Sequence, residues 1–165
     1  MFSDAGLANM SDKTGSMGAH LVFLVDEKKR CCPLAWQANK VKRVVKSTLA
    51  AETLSLAEGL ENGIYLRKIM SEIIGEEARC IPIIGYVENK SVTQSLYSTK
   101  MVDDKYLRLD LASIRQMIET GEVHSVKWCS GDVQLANSLT KRSASPYLLQ
   151  KTLQTGMLNV AGIDV

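Results

Sequence analysis

The chain has 165 residues, 45% hydrophobic and 23% charged, a length that suits one domain with a sizeable core and a composition unlike that of a disordered tail. Its longest apolar runs fall below the roughly 18 residues a membrane-spanning helix needs, and no basic region followed by an apolar stretch opens it. An intracellular location, cytoplasmic or nuclear, without a membrane partner, is therefore expected. The net charge of +2 says little, but Lys28, Lys29, Arg30, Lys40, Lys42, Arg43 and Lys46 share a stretch that contains no acid, a local excess suited to phosphates or to a solvated hairpin and loop. Cys31, Cys32, Cys80 and Cys129 form no C-x-x-C pair and read as buried, reduced thiols on strands rather than zinc ligands.

Three short strands are expected first, over residues 2–5, 19–25 and 32–37, with Gly15, Gly18 and the charged run 26–30 as turn signals. They read as an antiparallel meander. Ser47 or Thr48 offers an N-cap to a long helix reaching about Ile74, with Leu56, Leu60, Ile64 and Ile73 at helical spacing and Gly75 at its end. Residues 81–87 are almost continuously apolar despite Pro82 and Gly85, as in a central parallel strand covered on both faces. Helices over 90–97 and 106–119 follow, then a half-buried strand over 122–129. The remaining helices are expected around 133–140 and 147–153, with 159–165 a loose tail. This order defines an α/β fold with a mixed sheet, which many functions share.

Carboxylates on different elements are what a two-metal nuclease needs, because two cations about 4 Å apart must be held at one point. Asp4 on the first strand, Glu52 one turn into the long helix and Glu88 at the end of the apolar strand are suitably placed. Glu52 shares the stripe of Leu56 and Leu60, so it should face the sheet and need a partner or a metal. Glu88 lies at the C-terminal strand edge, where ligands gather in α/β sheets, although an ordinary polar strand end is the plainer reading.

The segments Ser3-Asp4-Ala5, Lys13-Thr14-Gly15, Leu34-Ala35-Trp36-Gln37, Lys46-Ser47-Thr48-Leu49-Ala50-Ala51-Glu52, Glu88-Asn89-Lys90-Ser91 and Gln134-Leu135-Ala136-Asn137-Ser138-Leu139-Thr140-Lys141 are similar, in order and spacing, to the ribonuclease H (RNase H) segment of copia-type (LTR) retrotransposon Pol polyproteins. The resemblance runs from about Ser3 to Leu158. It implies an RNase H-like α/β fold, a five-stranded mixed sheet flanked by helices, over a single domain 1–165. It also implies metal-dependent cutting of RNA in an RNA–DNA hybrid, two Mg2+ or Mn2+ ions, and a reverse transcriptase domain in the parent polyprotein. The implied catalytic positions are Asp4, Glu52, Glu88 and Asn137, the first three as metal ligands; Lys40, Lys42, Arg43 and Lys46 would meet the nucleic acid.

Two positions depart from the family pattern, which has Asp where this chain has Glu88 and Asp where it has Asn137. Glu88 keeps the charge on a longer arm, and Asn137 keeps an acceptor oxygen but removes a charge. Metal binding and cleavage are expected to weaken. Only Met1, Phe2 and Ser3 precede Asp4, so the first strand, residues 1–5, is expected to be shortened relative to the family. A weakened nuclease, a non-catalytic nucleic-acid-binding module and a non-functional retroelement remnant all remain open. His20 and His124 read as surface strand residues; Met101, Met117 and Met157 read as core filling. No phosphate-cradling glycine loop or G-x-S-x-G nucleophile motif is present.

Overall fold

β1 (Phe2–Gly6), β2 (Met17–Val25) and β3 (Cys31–Lys40) form the expected meander. β1 pairs antiparallel with β2, placing Asp4 opposite Ala19, and β2 pairs antiparallel with β3. The computed structural model describes residues 1–9, 15–75, 77–99 and 102–158; the segment containing Lys13 and Thr14, Met101, and the expected tail 159–165 lie outside them. β4 (Ile84–Val87) joins β1 in parallel, and β5 (Ser125–Trp128) joins β4 in parallel. The strand order is β3-β2-β1-β4-β5, a five-stranded mixed sheet as expected.

α1 (Thr48–Ile74) is fixed at both ends by its sequence. The Ser47 side chain accepts from Ala50 N, and Gly75 closes the helix at φ 77° with its N–H bonded to Ser71 O, the left-handed cap that glycine takes without a Cβ penalty. Leu56 and Leu60 are fully buried against the sheet. Ile73 is not: it is 71% exposed, with Ile74 also exposed, because the buried residues of α1 end at Arg67. α2 (Lys90–Tyr97) and α3 (Lys105–Glu119) complete this layer. Their N-caps are Asn89 and Asp104, whose side chains accept from Ser91 N and from Tyr106 N and Leu107 N.

Two apolar clusters lie on the two sheet faces. Leu56, Leu60, Val87, Val92, Leu111 and Ile114 form one beneath the helices; Phe2, Leu21, Tyr86, Leu135 and Leu158 form the other. Side chains alternate across a strand, so Asp4 shares the face of Phe2, where α4 (Asn137–Thr140) packs against β1. α5 (Tyr147–Thr155) ends at Gly156, φ 61°, and is tied to the start of β3 through Cys31 N and Gly156 O, 2.8 Å.

Several boundaries differ from expectation, β3 among them, which runs on to Lys40. β4 begins at Ile84, after a 3-10 turn over Ala78–Cys80, because Pro82 brings no N–H to a ladder. β5 begins at Ser125, since Gly121 turns at φ 75° and Val123 N bonds back to Met117 O. The helix expected around 133–140 is broken into a 3-10 turn, Gly131–Val133, and α4, with Gln134 extended between them. The cysteines also differ, for only Cys129 is buried while Cys32 and Cys80 are exposed. His20, expected at the surface, is 3% exposed and shares a 3.0 Å hydrogen bond with Asn62 Nδ2. His124 is exposed as expected, and Met117 packs against the core. No helix among the described residues is long and apolar enough to cross a membrane.

Candidate active site

The parallel pairing of β1 with β4 places Asp4 beside the end of β4, where Glu88 follows directly. α1 crosses the opposite face with Glu52 in its second turn. Ser55, one turn on, pins this crossing by donating to Asp4 O at 3.0 Å and lying 3.2 Å from Ala19 O. Gly18 allows the approach, since a Cβ there would stand 3.1 Å from Ser55 Oγ. Gln134 holds the other side: its Nε2 donates to Ser3 O at 3.0 Å and to Tyr86 O at 3.3 Å, and its Oε1 accepts from Ala136 N.

Asp4 is fully buried. Its Oδ2 accepts a hydrogen bond from Thr140 Oγ1, and its Oδ1 has no hydrogen-bond partner. Glu52 is also buried, with Oε2 unpartnered. Burial first, then the charges of Asp4 and Glu88, push its carboxyl up to about 8, with Lys141 opposing the shift. The carboxylate of Glu88 lies against Gly131, where a Cβ would come within 2.6 Å of Oε1.

Lys141, at the C-cap of α4, joins these groups. Its Nζ donates to Glu88 Oε2 at 2.7 Å and to Asn137 Oδ1 at 2.7 Å, and stands 3.4 Å from Asp4 Oδ1. Asn137 completes its own bonding through Nδ2 to Gly131 O at 3.0 Å. Burial alone would raise the Glu88 carboxyl, but the hydrogen bonds from Lys141 and Asn137 and the Lys141 charge hold it below its ordinary value. Burial would likewise lower the Lys141 ammonium, yet the hydrogen bond to Glu88 and the charge of Asp4 hold it above its ordinary value. The field of the cluster reaches Cys129, whose thiol is pushed up to about 12 by burial first and then by Glu88, Asp4 and Glu52. That thiol is not a nucleophile near neutral pH.

The implied acid positions Asp4, Glu52 and Glu88 thus converge with Asn137, and oxygen donors of this kind suit a hard divalent cation. Their spacing does not. Among the described residues no three His, Cys, Asp or Glu side chains are grouped so as to hold a metal ion, and the gap between Asp4, Glu88 and Asn137 is bridged by the Lys141 ammonium. As arranged, the residues hold one tethered monovalent cation in the space where the expected divalent ions would bind. Thr140, Lys141 and Gln134 carry much of this geometry and were not among the expected site residues, although all three stand in the matched segment.

The basic stretch is divided. Lys40 closes β3, and Lys42 and Lys46 are exposed in the connection to α1. Arg43, expected to face nucleic acid, is instead ion-paired with Asp110 of α3, with its guanidinium carbon 5.6 Å from the centroid of the Tyr106 ring. It anchors the connection to α3 and is not available to a phosphate while that pair holds.

No family model matches the chain. Among solved structures, it is similar to the N-terminal RNase H domain of Rv2228c from Mycobacterium tuberculosis (13% identity, 93% of this chain and 94% of that one, TM-score 0.55). It is also similar to RNase H1 from Halobacterium salinarum (14%, 90% and 95%, 0.53) and to LC11-RNase H1 isolated from compost (13%, 86% and 91%, 0.58). The fold is RNase H-like. By sequence the chain is 28% identical, over 144 residues and 85% of its length, to the retrovirus-related Pol polyproteins from transposons RE2 and RE1 of Arabidopsis thaliana. It spans 9% of the length of each. The chain thus has an RNase H-like fold and a sequence similar to a segment of retrotransposon Pol polyproteins.

Proposed function

We propose that the chain is the RNase H domain of a copia-type Pol polyprotein that docks on RNA–DNA hybrids and in which metal-dependent cleavage of the RNA strand is weakened. The observation that carries this reading is the convergence of Asp4, Glu52, Glu88 and Asn137, from four separate segments, on one partly buried point. An acid cluster of this kind costs stability, which a purely structural site would avoid. The weakening follows from Asn137, which brings no charge, and from Glu88, whose longer arm engages Lys141. A non-catalytic binding module is the second reading, favoured by Lys141 filling the space between the acids; a non-functional remnant would need neither binding nor cleavage. A reverse transcriptase domain in the same parent polyprotein is the expected partner.

The docking surface includes Lys42 and Lys46, with Lys40 beside them, through sequence-independent phosphate contacts. Hybrid affinity measured across a salt series tests it. The parent chain should bind with steep salt dependence, and Lys42→Ala with Lys46→Ala should reduce the slope by about 2. Arg43→Ala should lower the melting temperature and leave the slope close to that of the parent. A parent chain with no affinity for the hybrid would contradict the reading.

A further inference from the structure

We propose that the Lys141 ammonium is the resident cation of the acid cluster, holding in the free chain the place a divalent ion would take, so that ion entry requires Lys141 to swing out. The inference rests on reading the cluster as an RNase H-type acid site. An ammonium has three N–H donors, and three oxygens surround this one: Glu88 Oε2 and Asn137 Oδ1 at 2.7 Å and Asp4 Oδ1 at 3.4 Å. The tether is anchored at its backbone end. Lys141 follows Thr140, whose hydroxyl is bonded to Asp4, and stands four residues after Asn137 at the end of α4, so the helical turn that supplies one ligand of the ammonium also aims it.

The occupancy is incomplete, which is why it can be reversed. Asp4 Oδ1 and Glu52 Oε2 remain without hydrogen bonds, so the cluster would gain from a cation of higher charge. The Lys141 side chain is 37% exposed and borders a cleft lined by Asn9, Met17, Ser138, Leu139 and Arg142, which provides room for it to leave. Ion and ammonium cannot share the same oxygens, so the two bind in competition.

Calorimetric titration with Mn2+ in metal-free buffer tests this on the parent chain, Lys141→Met and Lys141→Arg. Lys141→Met should bind Mn2+ about tenfold more tightly than the parent, or ~1.4 kcal/mol, while Lys141→Arg, which keeps the charge, stays near the parent. A folded Lys141→Met chain with no gain in Mn2+ affinity overturns the proposal. Should Lys141→Met fail to fold, Lys141→Gln carries the same titration. The unmodified chain gives a second readout in lysine Cε NMR, where the Lys141 resonance should move to the position of exposed lysines as Mg2+ saturates. Saturation with that resonance unmoved overturns the proposal. Loss of hybrid binding with the Mn2+ gain intact would remove the proposed function alone; hybrid binding without the gain would remove the tethered-cation role alone.

Discussion

Glu52 shows at the scale of one residue what the cluster costs. Its carboxyl is buried with Oε2 unpartnered, and burial and the neighbouring acids push it up to about 8 from an ordinary 4.5. An acid with a raised folded value binds its proton in the folded chain over a range where the unfolded chain has lost it. Its contribution is therefore full below about 4.5 and disappears as pH rises through 8. Glu88, held below its ordinary value, acts in the opposite sense and contributes above the ordinary carboxylate range. Urea unfolding between pH 5 and pH 8 should accordingly show the parent losing stability relative to Glu52→Gln. The variant should lead at pH 8 by on the order of 2 kcal/mol, with the difference shrinking toward pH 5. A difference that does not change with pH would mean that Glu52 is not held protonated by its surroundings.

Among the elements, the segment from Gly131 to Lys141 decides the site. Gln134 interrupts what the sequence pattern suggests is one helix and sends its amide between β1 and β4. Replacing it with Leu would remove its bonds to the Ser3 and Tyr86 carbonyls and the acceptor of the Ala136 N–H, at about 1–3 kcal/mol, and would loosen α4 and with it Asn137 and Lys141. A loss of unfolding free energy within that range, measured in denaturant, checks it; an unchanged midpoint would mean that the bridge is not needed. Helix limits were legible where a local cap sets them, as at Ser47, Gly75, Asn89 and Asp104. Strand limits were less so, because Pro82 and Gly121 act through ladder partners distant in sequence. The convergence of the four site positions was legible from the matched segments. The reach of Lys141, the crossing of Gln134 and the pairing of Arg43 with Asp110 depend on which elements meet, and no local pattern encodes that.

For the whole molecule, the mixed sheet brings β1 and β4 side by side in parallel and lays α1 across them, so that distant acids meet while α4 closes the cluster from the other face. On the proposed reading, activity would depend on two side chains. Glu88 carries the charge on an arm one methylene too long, and Asn137 supplies an oxygen without charge, in a kind of site where misplacement by about 1 Å costs on the order of a hundredfold. Because both act on one cluster, their effects should not be additive. The most direct measurement is the rate of RNA-strand cleavage in an RNA–DNA hybrid with Mn2+, comparing the parent with the Glu88→Asp, Asn137→Asp double variant, each first shown to melt cooperatively. The expected result is a gain of about a hundredfold that vanishes when Asp4→Asn is added; a folded double variant that binds the hybrid and cuts no faster than the parent would contradict the weakened-nuclease reading.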